Sequence, residues 1–177
     1  MILISWMRFG WDLKKSDLGT DQVPSPFQIR NAEADEESIV QKTVNSAFSI
    51  DGAWSDAWKT LKESVEHSIT ESIARNNGSC LVITHGARII GASALDQETS
   101  AENNLLTGPC ILHEYRSRGL GTLLLRESLR RLKETGLDEA HGLSRDRTVA
   151  ARFVYRKFGG LGKVYDSGPQ IAAKLTI

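Results

Sequence analysis

The stretch EYRSRGLGTLLL, residues 114–125, sets Gly119 and Gly121 at the mouth of a leucine-rich run. If a strand ends near Leu112 and a helix starts at Gly119, the first-turn amides of that helix have no internal acceptor. They and the helix dipole then favour an anion at that spot. Glycine at 119 and 121 would let a bulky diphosphate approach the backbone closely. Thr122 adds a hydroxyl, and Arg116 and Arg118 add positive charge. The commoner phosphate motifs do not fit. A dinucleotide fingerprint needs a third glycine where Leu124 stands, and no segment has the P-loop pattern. GGLGK, residues 159–163, has the wrong spacing and reads as a helix stop. Taken alone, the glycine pair is equally a tight turn that opens a helix.

The elements that position this turn follow from hydrophobic period. VPSP, residues 23–26, is a breaker, so the domain is expected to span 25–177, with 1–24 an extension docked through Trp6, Phe9 and Trp11. PFQIR reads as a strand. Residues 31–48 carry acids in a first turn and a stripe of Ile39, Val40, Val44 and Phe48, the pattern of a helix. A second helix is expected from Asp56 to Arg75, with Leu61, Val65, Ile69 and Ile73 four apart. Two apolar runs around HGAR predict a hairpin. NLLTGPCIL predicts a strand interrupted at Gly108–Pro109. Then follow a helix over 119–135, the strand DEAHGLS, the helix TVAARFVYRKFGG, and a closing pair, LGKVYDS and QIAAKLTI. Strand, two helices, three strands, helix, strand, helix and two strands make an α/β domain with a mixed sheet.

Bulk properties narrow the partners. A chain of 177 residues is long enough for one domain with a real core. Lys plus Arg equals Asp plus Glu, 22 each, which argues against a nucleic-acid partner. The apolar start MILISWM is broken by Arg8 and lacks a cleavage site, so neither a signal peptide nor a membrane span is expected. Cys80 and Cys110 sit in strand-like runs and read as reduced core thiols of a cytoplasmic protein. No Cys/His cluster suggests a metal.

ILHEYRSRGLGTLLL resembles the acetyl-CoA motif of the GNAT superfamily of N-acetyltransferases. In (R/Q)-x-x-G-x-(G/A), Arg116, Gly119 and Gly121 match. In the V-x-P-x-Y approach, Ile111 and Tyr115 match, and His113 replaces proline. TVAARFVYRKFGG resembles a second signature, N-x-x-A-x-x-x-Y-x-x-x-G-F. There Ala151, Tyr155 and Gly159 match, with Thr148 for Asn and Gly160 for Phe. The resemblance covers about residues 27–177. It implies a mixed, mostly antiparallel sheet of six to seven strands with four flanking helices. It also implies an acetyl-CoA-dependent acyltransferase.

The resemblance further implies roles. The amides of Ser117, Arg118, Gly119, Leu120, Gly121 and Thr122 would hold a pyrophosphate, with Arg116 in the same motif. The backbone of Cys110, Ile111 and Leu112 would pair with the pantetheine arm, and the Ile111 amide would steady an oxyanion. Tyr155 would act as general acid, a role the motif favours over that of a core aromatic on an amphipathic helix. Where family members often carry a Glu base, this chain has Leu143. His141 shares that strand face and has a suitable pKa, so it is the candidate base, with Glu102 and Asp96 as holders of a water. The Thr148 hydroxyl would replace an Asn contact to the cofactor. Asp51, Asp56, Trp54 and Trp58 would attract and stack on a cationic amine, or simply cap a helix and fill a core. The acceptor would be a small-molecule or peptide amine, and a homodimer is common in the family. A non-catalytic acyl-CoA-binding sensor of the same fold is the alternative.

Overall fold

A computed structural model describes residues 5–166. Ten regular elements lie in chain order: β1 (Trp6–Asp12), β2 (Phe27–Asn31), α1 (Glu37–Ser49), α2 (Trp58–Ala74), β3 (Cys80–His85), β4 (Arg88–Ala94), β5 (Cys110–Ile111), α3 (Leu120–Glu134), β6 (Glu139–Arg145) and β7 (Leu161–Val164). A single π-helical turn, Ala150–Val154, follows β6 and stands where the last helix is expected. Two antiparallel sheets result, β2-β3-β4-β5 and β6-β1-β7, seven strands among the described residues. No helix among the described residues is long and apolar enough to cross a membrane.

The β3–β4 hairpin reads as two continuous apolar runs because both of its faces are covered. Along β3, Leu81 and Ile83 join a core with Leu124, Leu125, Leu129 and Leu132 of α3. Cys80 and Val82 face the other way, into a core with Val40 and Val44 of α1 and Leu61 and Ile69 of α2. Period-2 alternation thus divides one strand between two cores. On α1 the buried stripe is Val40, Thr43, Val44 and Ala47. Ile39, expected in that stripe, is exposed.

The expected boundary at residue 25 needs correction. Trp6–Asp12 is the middle strand of the second sheet, paired with β6 and with β7. Phe9 and Trp11 alternate onto the core face and are 0% and 1% exposed. Phe9 lies opposite Gly142 on one side and Gly162 on the other, and a Cβ at Gly162 would meet the Phe9 ring at 2.7 Å. A strand whose partners are some 130 residues away leaves no local signal, and Arg8, on the alternate face, hides the apolar period. NLLTGPCIL also differs from expectation. Apart from an isolated bridge between Leu95 and Leu105, it contributes only the two residues of β5 to the ladder. The closing strand expected at QIAAKLTI lies outside the described residues.

Candidate active site

The two sheets part between β5 and β6, and the free edges there define a cleft. On β5, the Leu112 N–H donates to Ile90 O at 2.8 Å. Antiparallel alternation then turns the Ile111 N–H away from β4, toward the cleft. The Ile111 carbonyl is taken by Arg116 Nε at 3.1 Å. On β6, two asparagine side chains stand in for a neighbouring strand. Asn104 Oδ1 accepts the His141 N–H at 2.8 Å, and Asn103 Oδ1 accepts the Leu143 N–H at 3.2 Å.

At one end of the cleft the chain turns sharply into α3. Ser117 and Gly119 both adopt left-handed φ, +62° and +76°. For Gly119 that angle explains the residue type. The first hydrogen bond into the helix runs from Leu123 N–H to Gly119 O at 3.1 Å, so the Leu120, Gly121 and Thr122 amides have no helical acceptor. A Cβ placed on Gly121 would meet nothing closer than 3.9 Å. Protein packing therefore does not require glycine there, and the space it leaves fits a ligand lying against the backbone.

Tyr155 rises from the π turn on the opposite side. Thr148 Oγ1 accepts the Ala151 N–H at 3.0 Å, and the Tyr155 N–H reaches back five residues to Ala150 O at 2.8 Å. This wide turn, a feature frequent at functional sites, directs the ring between Phe9 and Trp11. The ring meets both edge-on, at centroid distances of 5.3 and 5.5 Å. A Cβ on Gly108, itself at φ +61°, would collide with the Tyr155 hydroxyl. No hydrogen bond to that hydroxyl occurs among the described residues. Burial, with a smaller contribution from Cys110, pushes the phenol well above its usual range, so it stays protonated. Burial likewise pushes the Cys110 thiol up to about 11, which excludes a thiolate nucleophile at neutral pH.

A cavity of about 420 Å³ connects these parts. Its walls include Cys110 and Ile111 of β5, residues 119–122 of the glycine turn, Tyr155 and Leu143. The far walls are aromatic: Trp6, Phe48, Trp54 and Trp58.

An acetyltransferase (GNAT) domain family model matches residues 76–159, which include Arg116, Gly119, Gly121, Ala151, Tyr155 and Gly159. Solved structures share the architecture. A GCN5-related N-acetyltransferase from Sphaerobacter thermophilus superposes with a TM-score of 0.62 at 18% identity, over 91% of this chain and 49% of that one. The chain has the GNAT fold. A GNAT-family acetyltransferase from Colwellia psychrerythraea gives a TM-score of 0.64 at 12% identity, over 92% and 55% of the two chains. A Drosophila protein gives 0.63 at 17% identity, over 92% and 50%. The chain thus spans about half the length of these structures. No curated protein matches the sequence.

Within the GNAT fold, several expected roles change. Leu112 does not line the cavity. Its carbonyl accepts the Tyr115 N–H, so both its backbone groups are used inside the protein. Arg116 is engaged three times. Besides Ile111 O, it donates to Asp51 Oδ2 at 3.0 Å and Ala47 O at 2.8 Å, which ties β5 to the end of α1. Arg118 lies outside the cavity, over the Tyr115 ring. The Thr148 hydroxyl donates to Arg145 O and accepts from Ala151 N–H, with Ser144 Oγ 2.7 Å away. Its capacity is filled, and it serves as a cap.

The candidate base His141 is not among the cavity residues. Its ring lies over Gly10 of β1, and burial together with Arg8 lowers its pKa. Glu102 and Asp96 are also outside the cavity; Glu102 accepts the Tyr165 hydroxyl at 2.7 Å. Asp51 and Asp56 are not free to attract a cation. Arg116 holds the first, and Arg145 grips the second through both oxygens while also donating to Ala53 O. Sequence reasoning missed Arg145, which holds Asp56 across the chain, and Asn103 and Asn104, which bond the edge of β6. No group of three or more potential metal ligands occurs among the described residues.

Proposed function

We propose that the protein is an N-acetyltransferase that moves the acetyl group of acetyl-CoA to a primary amine by direct attack in a ternary complex. The observation that carries this reading is the placement of the glycine turn, the Ile111 amide and the Tyr155 hydroxyl around one cavity. The residues fit the cofactor: free amides at 120–122 suit a pyrophosphate, and the unpaired edge of β5 suits an extended amide-bearing arm. Bound acetyl-CoA supplies an acyl group activated as a thioester.

This chain's own groups do the rest. The Ile111 N–H faces the position where carbonyl charge would develop and can donate to it. Tyr155 retains its proton in the resting site and can donate it, or a strong hydrogen bond, to a departing thiolate. A phenol with a raised pKa is a weak acid, but Cys110 shows that the same surroundings also raise a thiol. Burial raises both groups, so Tyr155 remains the weaker acid and serves the departing sulfur chiefly as a hydrogen-bond donor. The aromatic walls exclude water from the acceptor side. A cytoplasmic location and a homodimer belong to the same proposal.

The test measures acetyl-CoA binding by calorimetry and thiol release with an amine panel. Gly121→Trp fills the open space at the turn and is expected to abolish binding; unchanged affinity would overturn the cradle. Tyr155→Phe keeps the ring between Phe9 and Trp11, and is expected to cut turnover roughly 10²-fold or more with little change in affinity. Equal turnover would remove the tyrosine from the chemistry.

A further inference from the structure

CoA carries a pyrophosphate and, on the ribose of its adenosine, a 3′-phosphate. A protein that holds it gains from cations that answer those charges. The arginines of the glycine motif are engaged elsewhere. Arg116 is taken by Asp51 and by the Ile111 and Ala47 carbonyls, and Arg118 lies over the Tyr115 ring, outside the cavity. Two cations on the other side of the cavity form no ion pair among the described residues. Lys157 stands in the wall, and Arg152 is exposed on the π turn.

An apolar patch adjoins Arg152. Phe153 is 60% exposed, Val149 is 55% exposed, and both belong to the cavity wall. Exposed apolar side chains are ordinary when scattered singly. These two share one turn and one wall with Gly119, Gly121 and Thr122. Val154, on the same turn, brings Cγ2 within 3.9 Å of the Cβ position of Gly121. The π turn therefore lies directly beside the glycine turn, where the pyrophosphate is proposed to sit.

The Phe153 ring is half prepared for a ligand. The Arg152 guanidinium carbon lies over it, 5.5 Å from the centroid. No other aromatic ring pairs with Phe153 among the described residues, so a face is open for stacking. A purine has the flat π surface to fill it. The guanidinium makes no side-chain hydrogen bond among the described residues, so its N–H donors are available to a phosphate beside the ring.

Resting on the acetyl-CoA reading, we infer that Phe153 and Arg152 form the seat for the nucleotide end of the cofactor. The adenine stacks on the open face of Phe153, and the Arg152 guanidinium pairs with the ribose 3′-phosphate. Both residues fall at unspecified positions of the second motif, so the motif does not assign them. A ring with a cation beside it recognises a 3′-phosphorylated adenosine and nothing in the acyl-bearing arm. The seat thus selects thioesters of CoA over the same acyl group carried on phosphopantetheine alone.

Acetyl-CoA, its 3′-dephospho form and S-acetyl-4′-phosphopantetheine, which lacks the adenosine, test this on the full chain by calorimetry. Both side chains are exposed, so their replacement leaves the core intact. Phe153→Ala is expected to weaken the two adenosine-bearing ligands about tenfold and leave the third unchanged, while Phe153→Tyr binds as the native protein does. Arg152→Gln is expected to weaken acetyl-CoA by at least about fivefold and its dephospho form little. If the arm alone binds too weakly to measure, the affinity ratio of acetyl-CoA to its dephospho form decides. That ratio should fall toward one in Arg152→Gln and hold in Phe153→Ala. An arm that binds the native protein as tightly as acetyl-CoA, a loss in Phe153→Ala that the arm shares, or an unchanged ratio in Arg152→Gln would overturn the inference. If the native protein binds none of the three thioesters, the acetyl-CoA reading fails and the seat falls with it. If it binds them and neither substitution matters, only the seat fails.

Discussion

Trp11→Ala asks whether the first twelve residues belong to the working domain. Trp11 is 1% exposed in the middle of β1. Its ring stacks near Phe9 at 6.4 Å and meets Tyr155 edge-on at 5.5 Å, and its Nε1 donates to Lys157 O at 3.0 Å. Truncating a buried tryptophan costs about 3–5 kcal/mol in transfer and cavity terms. The Lys157 carbonyl and the edge-on contact are already partly counted there, so about 4 kcal/mol is the expected loss. With a urea dependence of about 2 kcal/mol/M, the unfolding midpoint should fall by about 2 M. For a domain with about 5–15 kcal/mol of stability that is a large fraction. The assay is urea unfolding followed by far-UV circular dichroism, which does not depend on the lost fluorophore. A loss below about 1 kcal/mol would refute the reasoning, since only exposed residues are so cheaply truncated. Residues 1–24 would then be a dispensable extension after all. A partial loss that leaves the fold intact should also reduce thiol release, because Trp11 and Phe9 hold the Tyr155 ring.

Two further outcomes follow from charged groups. Arg116→Ala leaves Asp51 without its partner and two carbonyls without a donor. It is expected to cost about 2–4 kcal/mol in the same unfolding assay, and at saturating acetyl-CoA it should alter turnover mainly through loop 50–57. Glu36 is held below its usual pKa, chiefly by its hydrogen bonds from Arg30, at 2.7 and 2.8 Å. A depressed folded-state pKa adds stability above the unfolded value and loses it as pH falls through the folded one. Arg30→Gln should therefore lower the midpoint at pH 7 and change it little at pH 2–3; an equal loss at both would discount the pair.

Local pattern was enough for the elements whose partners are close in the chain. The β3–β4 hairpin, α2 and α3 lie within a few residues of where apolar period and glycine stops place them. Longer-range packing decided the rest. Phe9 and Trp11 carry no sign that they will lie between strands 130 to 150 residues away. Tyr155 shows helical spacing with Ala151 and Phe158, yet the Thr148 cap and the bond from Tyr155 N–H to Ala150 O widen that turn into a π turn. Leu105 and Leu106 looked like strand residues, but Gly108 and Pro109 break the ladder before it forms.

The same division separates the proposed cofactor side of the site from the acceptor side. The turn that we propose cradles a diphosphate is a backbone feature shaped by glycines at fixed spacing, so Gly119 and Gly121 mark it in the sequence. Acceptor recognition depends on which charges remain unpaired after folding. Asp51 and Asp56 in the sequence look like cation ligands because Arg116 and Arg145 are 65 and 89 positions away. Once those pairs form, neither carboxylate is left free to attract a cation. Pairing across the chain, rather than the presence of acidic residues near the site, sets what the cavity can accept.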